Sequence, residues 1–374
     1  MFTLLKNLEC YSPKYIGKKN ILIAGGKIYK IQPAGKQEAN PFIDRTVECD
    51  GLLAFPGLID QHVHIIGGGG EQGFASHVGE IDIHDILAAG VTTLVGLLGT
   101  DGCTKSLESL FVKAKILESQ GITTFIYSGS YSVPIVTLTQ SIVRDLILID
   151  KVIGAGEIAI SDHRSSNADS AALLTLASDT HLGGLLGGKA GVVHIHLGDG
   201  KAGLTPLLKI LEQSDLPVEL FVPTHVNRNP VLFEQAVEYC KNGGNIDLTA
   251  GETVGIPVPD AVCRLMNGNP GLSGVTVSSD ANGSIPSGGT GTIQCLYDDI
   301  RDCIVTEKIN PETVIRLVTE NVAKVLKLYP QKGTLREGSD ADLLITDKNY
   351  KVSKLFCLGK LMIDEGCVVE NKGK

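Results

Sequence analysis

The chain has 374 residues, 43% of them hydrophobic, with 44 glycines and a formal net charge of −9. That length accommodates one large α/β domain plus a small one, and the acidic balance excludes the basic face that a nucleic-acid binder presents. Nine cysteines, odd in number and with no CxxC pair, exclude a zinc ribbon and a disulfide framework. No apolar run reaches the length of a signal-peptide core or a membrane span, so the reduced cytoplasm is the expected compartment.

Residues 1–55 read as short strands between turns, such as Asn20–Ala24 and Lys27–Gln32 on either side of Gly25-Gly26. The far end looks the same: Asp342–Thr346, Val352–Leu358 and Lys360–Asp364 are apolar or alternating runs between Gly, Asp and Asn turns. Neither end alone buries both faces of a sheet, so residues 1–55 and 333–374 are expected to pair into one small β-sandwich domain.

Between them, residues 56–332 alternate strand, polar loop and helix. The expected strands are Leu58–His64, Val91–Leu98, Thr123–Ser128, Glu157–Asp162, Val192–Leu197, Leu220–His225, Asn245–Ala250 and Val275–Asp280. Helices are expected at Leu107–Ser119, Gln140–Asp150, Ser170–Asp179 and Pro230–Lys241, where apolar residues recur at three and four. Eight such alternations predict an α/β fold, a (β/α)8 TIM barrel.

Barrel chemistry gathers at the C-terminal ends of the strands, and candidate ligands recur there. The first strand ends in His62-Val63-His64, and residues two apart on a strand share a face. The fifth ends in His196, the sixth in His225 and the eighth in Asp280. Four imidazoles and a carboxylate from four strands suit Zn²⁺. His194 lies one layer deeper than His196, and packing beneath the site is its expected role. His77, His84, His163 and His181 fall in loops or helices and are read as solvent-facing or capping residues.

The run FPGLIDQHVH resembles the amidohydrolase superfamily, and IGGGGEQG, VGLLGTDG, ISDHRS, GGLLGGKAG, PTHVNRN and SSDANGS narrow the resemblance to its isoaspartyl dipeptidase family. The likeness spans the whole chain, including GTLREGSDADLLI near the end. It implies two zinc ions per subunit, one held by His62, His64 and Asp280 and the other by His196 and His225, with a bridging hydroxide as nucleophile. Asp280 would act as general base, and Tyr131 would hydrogen-bond the developing oxyanion. Glu71 would hold the substrate's α-ammonium. Thr100, Arg164, Arg228 and Ser284 would complete the substrate contacts, the guanidinium forks on carboxylates. The implied partner is a small dipeptide, not nucleic acid or a membrane, and the chain is expected to form a homo-oligomer.

One position departs from the family. Its members bridge the metals with a carboxylated lysine on the fourth strand, whereas here Val152–Asp162 contains no lysine and Glu157 occupies that register. A glutamate supplies the bridging carboxylate directly but is shorter by three atoms, roughly 3–4 Å of reach. Gly154 and Gly156, together with one extra residue in the segment, point to a bulge that brings the backbone inward. Two other functions compete: another amidohydrolase, such as a cyclic-amide hydrolase or N-acyl amino-acid deacylase, of which a cyclic-imide substrate would not need Glu71, and an inactive relative, which would have little reason to keep Asp280 and the four histidines together.

Overall fold

A computed structural model describes residues 1–35, 43–268, 272–285 and 289–369. Parts of both expected end segments, residues 36–42 and 370–374, therefore lie outside the described residues. Five strands come first: β1 (Phe2–Tyr11), β2 (Tyr15–Ala24), β3 (Lys27–Pro33), β4 (Arg45–Glu48) and β5 (Leu53–Pro56).

Eight strand–helix units follow. They are β6 (Leu58–Val63) with α1 (Ile83–Ala88), β7 (Val91–Gly96) with α2 (Leu107–Gln120), β8 (Thr123–Ser128) with α3 (Ile142–Leu148), and β9 (Val152–Ile160) with α4 (Ser170–Gly187). Then come β10 (Val192–Leu197) with α5 (Thr205–Glu212), β11 (Phe221–Thr224) with α6 (Pro230–Lys241), β12 (Ile246–Thr249) with α7 (Val258–Gly268), and β13 (Val275–Ser278) with α8 (Gln294–Val305). Two short helices, α9 (Pro311–Ile315) and α10 (Glu320–Val325), lead to β14 (Leu343–Thr346), β15 (Val352–Cys357), β16 (Lys360–Asp364) and β17 (Cys367–Val368).

Strands β6 to β11 form a continuous parallel sheet, and β12 pairs with β13. The ring closes through a parallel bridge between Val63 and Ala281, with Asp280 N donating to His62 O at 3.1 Å and His64 N to Ala281 O at 2.9 Å. Ile59, Ile153, Val192 and Val222, each at the start of its strand, pack with Val322, Ala323 and Leu326 in and just after α10. That plug fills the N-terminal mouth and leaves the opposite mouth for chemistry. Midway up the barrel the buried carboxylate of Asp247 accepts from Gln61, Thr224, Thr276 and Ser278 at 2.5–2.8 Å, so one anion is satisfied by four side chains inside the ring.

The two ends of the chain share one nine-stranded sheet, in which β14 from the C-terminal side pairs antiparallel with β5. Strand β1 carries β4 along Thr3–Lys6 and β5 along Glu9–Cys10, turning at a register shift so that the sheet wraps a common core. Leu5, Ile21 and Ile28 pack there with Leu343, Ile345 and Phe356.

Two elements differ from the sequence expectation. The fourth strand begins at Val152 and ends at Ile160, so Asp162 lies in the loop beyond it rather than on the strand. Helix α4 continues to Gly187 instead of stopping near Asp179. Its glycines permit close packing: a Cβ on Gly184 would stand 2.6 Å from Gly191 Cα, and one on Gly187 2.6 Å from the Leu146 carbonyl.

Candidate active site

Every candidate ligand reaches the C-terminal mouth. His62 lies near the end of β6 with His64 just beyond it, and His196 near the end of β10. His225 and Asp280 follow β11 and β13 in left-handed backbone conformations, φ 61° and 52°, which turn their side chains inward off the strand ends. Glu157 is in the body of β9, where the register against β10 passes from Val193–Ala155 to Ile195–Ile158. Strand β9 thus advances three residues while its neighbour advances two, which is a bulge at Gly156-Glu157. A Cβ on Gly156 would lie 2.8 Å from His194 Cβ, so only glycine fits beside the bulge. The peptide joining Gly156 to Glu157 is cis.

The bulge places the Glu157 carboxylate between the two pairs of histidines. Its Oε2 is 2.8 Å from His62 Nε2 and 3.8 Å from His64 Nε2. Its Oε1 is 2.5 Å from His196 Nδ1 and 3.7 Å from His225 Nε2. Asp280 Oδ1 completes the first side, 3.3 Å from His62 Nε2 and 3.1 Å from His64 Nε2. Two ligands bound to one zinc at ~2.0–2.1 Å and a tetrahedral angle stand roughly 3.4 Å apart; His62 with His64 and Asp280, and His62 with Glu157 and His225, are spaced to surround an ion, whereas His196 and Glu157 stand in hydrogen-bond contact. His62 Nε2 and Glu157 Oε2 are fully buried and have no hydrogen-bond partner in spite of their 2.8 Å approach. Two buried polar atoms that converge without hydrogen-bond geometry make this a candidate cation site.

The far nitrogens are tied back in a way that frees the near ones. His62 Nδ1 is 2.8 Å from His194 Nε2, and His225 Nδ1 is 2.7 Å from Thr249 Oγ1. His196 Nε2 is 3.0 Å from Asp162 Oδ2, a carboxylate–imidazole pair that leaves Nδ1 as the free lone pair. Burial pushes His225 down to about 3 and His194 well below the usual histidine range, so both stay neutral. Burial also opposes charge at His62, Glu157 and Asp280, yet their mutual attraction prevails: His62 is raised, and both carboxyls are held well below the carboxylate range. A cation bound there would take over the charge that His62 otherwise carries.

A cavity of about 910 Å³ opens above these groups. On its wall Glu71 Oε1 accepts from Thr100 Oγ1 at 3.0 Å, Ser284 Oγ at 3.0 Å and Arg164 NH1 at 3.2 Å. Burial would raise Glu71, but these donors outweigh it and keep the carboxylate ionised. Tyr131 is buried with its hydroxyl 2.9 Å from His196 Nδ1, and burial followed by the Glu157 charge holds it protonated. Arg228 NH1 donates to the Leu197 carbonyl at 2.8 Å, and its buried Nε has no partner among the described residues. Thus Glu71, Thr100, Tyr131, Arg164, Arg228 and Ser284 all reach one cavity with the ligand set.

Sequence reasoning gave no role to Asp162, which holds Arg164 through two side-chain bonds of 2.9 and 2.8 Å and also engages His196. It stands inside the quoted SDHR motif, so the signal was present. His77, read from the sequence as solvent-facing or capping, instead lines the cavity 3.4 Å from Asp101. His163 also borders the cavity while remaining exposed, and His84 sits in the first turn of α1, where the capping Asp82 carboxylate accepts from its backbone N–H at 2.7 Å.

The Amidohydrolase family profile matches residues 254–362. L-hydantoinase of Paenarthrobacter aurescens is 24% identical, over 92% of this chain and 85% of its own. Among solved structures, dihydropyrimidinase from Brevibacillus agri NCHU1002 shares the fold at 16% identity and a TM-score of 0.67, with 99% and 96% of the two chains covered. β-Aspartyl dipeptidase from Fervidobacterium islandicum AW-1, solved in complex with β-Asp-Leu, is 41% identical with a TM-score of 0.94 over 100% of both chains. Likeness at that level along the full length places this chain within the β-aspartyl dipeptidase family of the amidohydrolase superfamily.

Proposed function

We propose that the chain hydrolyses β-aspartyl dipeptides to aspartate and a free amino acid, with two zinc ions bridged by Glu157. The observation that carries this reading is the charge layout of the cavity. A fixed carboxylate and a guanidinium, Glu71 and Arg164, stand 3.2 Å apart, while Arg228 meets no carboxylate among the described residues. An α-amino acid head bears an ammonium and a carboxylate on one carbon, which matches Glu71 with Arg164 and Thr100. The second carboxylate of a dipeptide, on the leaving residue, then falls to Arg228 and Ser284. The relative solved with β-Asp-Leu supports the same substrate class.

His62, His64 and Asp280 would hold one zinc, His196 and His225 the other, and Glu157 both. Bound there, zinc supplies Lewis acidity and lowers the pKa of water towards neutrality. Asp280 takes the proton of the attacking water and delivers it to the leaving amine. The Tyr131 hydroxyl, kept protonated, donates to the carbonyl oxygen as negative charge builds on it. Asp162 fixes Arg164, so the aspartyl end is held in one orientation. Cyclic amides present no ammonium and would leave Glu71 unmatched.

No helix among the described residues is long and apolar enough to cross a membrane. All nine cysteines are free, which supports a reducing, cytoplasmic setting. Leu182, Leu185 and Leu186 on α4 are exposed beside Ile147 and Leu148 of α3, which supports a homo-oligomer. Leu185→Glu should lower the sedimenting mass, and an unchanged mass would remove that support. A hydrolysis panel of β-Asp-X, α-Asp-X, hydantoins and N-acyl amino acids, run beside metal analysis, tests the main reading. Turnover confined to β-Asp-X is expected, and preferential turnover of cyclic amides would overturn it.

A further inference from the structure

A second, smaller cavity of about 140 Å³ branches from the main one. It shares Arg228, Asp280 and Ser284 with the main cavity, but Glu71, Thr100, Tyr131 and Arg164 line only the main one. Its far wall is built from two stretches distant in sequence. One is the turn after β12, with Ala250, Gly251 and Val254. The other is the start of α8, with Thr292 and Cys295. Cys295 Sγ lies 3.2 Å from Thr292 Oγ1, and a Cβ added at Gly251 would meet that sulfur at 2.8 Å. The volume is several-fold more than the ~10–15 Å³ that one buried water requires.

We infer that this side cavity receives the side chain of the leaving amino acid, and that Cys295 at its wall sets the size it accepts. The inference rests on the dipeptidase reading above. In an amino acid the side chain branches from the carbon that carries the carboxylate. A residue whose carboxylate is held by Arg228 and Ser284, with its amine beside Asp280, therefore projects its side chain from those three residues. With Ile285 and Thr290 they are the residues that the two cavities share. The wall is mixed: Ala250, Val254 and the Cys295 thiol are apolar, whereas Thr249, Thr253, Thr292 and Glu252 are polar, one oxygen of the Glu252 carboxylate accepting from Val254 N and Gly255 N at 2.8 and 2.9 Å. Leucine-sized and smaller side chains suit a space of this volume, and an indole does not.

The test compares kcat/KM for β-Asp-Gly, β-Asp-Leu and β-Asp-Trp in the zinc-loaded wild type, Cys295→Ala and Cys295→Leu. Filling the cavity with leucine should depress β-Asp-Leu turnover roughly 10–200-fold, the scale of a lost hydrophobic subsite, mostly through KM, while β-Asp-Gly changes less than about 2-fold. Cys295→Ala should shift preference towards larger leaving residues. An arm independent of folding reads alkylation of Cys295 in the wild type by iodoacetamide, mapped by peptide mass. β-Asp-Leu should protect the thiol, and β-Asp-Gly should protect it less. If the Leu/Gly ratio is the same in all three proteins, or the two dipeptides protect equally, the side cavity is not this subsite although the dipeptidase reading stands. If the wild type fails to cleave even β-Asp-Gly, both readings fall.

Discussion

Replacing Glu157 with glutamine removes one negative charge and nothing else of size. Each oxygen of this carboxylate faces two imidazoles, and its side chain is only 1% exposed, so water cannot substitute for it. Taking one partner from a buried charge arrangement costs ~3–5 kcal/mol. At ~1.4 kcal/mol per decade that loosens the more weakly held ion roughly 100- to 4,000-fold. Apo-protein reconstituted with two equivalents of zinc and dialysed against a chelating buffer should retain two ions as wild type and one or none as Glu157→Gln, by elemental mass spectrometry. Because the carboxylate is built into the chain, reconstitution should proceed equally with and without bicarbonate. Two retained zinc ions in Glu157→Gln, or a bicarbonate requirement in the wild type, would refute the bridge.

Asp280→Ala, assayed with metal still bound, should lose at least ~100-fold in kcat, the scale of a positioned base; near-normal turnover would remove Asp280 from proton transfer. Glu71→Gln should lower kcat/KM for β-Asp-Leu with little change in melting temperature, and N-acetyl-β-Asp-Leu should be a poor wild-type substrate. Equal turnover of the acetylated and free dipeptides would show that no ammonium is read there. Burial, and then the neighbouring Asp302 and Asp298, raise Asp299 from 3.8 to about 6, although its Oδ2 accepts from Gly251 N at 2.8 Å. The folded state therefore keeps a proton that the unfolded chain has lost between those values, and stability falls as pH rises through that window. Asp299→Asn should then gain up to about 3 kcal/mol relative to wild type at pH 7.5 and nothing near pH 4, in urea titrations; the same difference at both pH values would contradict it.

The barrel and the gathering of its candidate ligands at one mouth were legible because period-two strands and strand-end histidines leave a local trace. His62, His64, His196 and His225 each end an apolar run, and the bulge at Glu157 announced itself through Gly154 and Gly156. What stayed hidden depends on distant pairs. Thr249 orienting His225 and His194 orienting His62 join different strands, 24 and 132 residues apart. The side cavity joins Gly251 to Cys295 in the same manner. Helix α4 runs past its expected end for a different reason, since close packing of its glycines against Gly191 and Leu146 overrides their cost in a helix.

The sheet shared by the two chain ends imposes an order on synthesis. Strand β5 finds β14 only when Leu343 has emerged, about 290 residues after Pro56. At ~5–20 residues per second, β1 and β5 spend roughly 15–60 s on the ribosome without that neighbour. Throughout that interval Leu5, Ile21 and Ile28 lack the Ile345 and Phe356 that later cover them. A nascent chain halted inside the barrel thus carries an open, apolar strand edge, the kind of surface that chaperones hold and aggregates recruit.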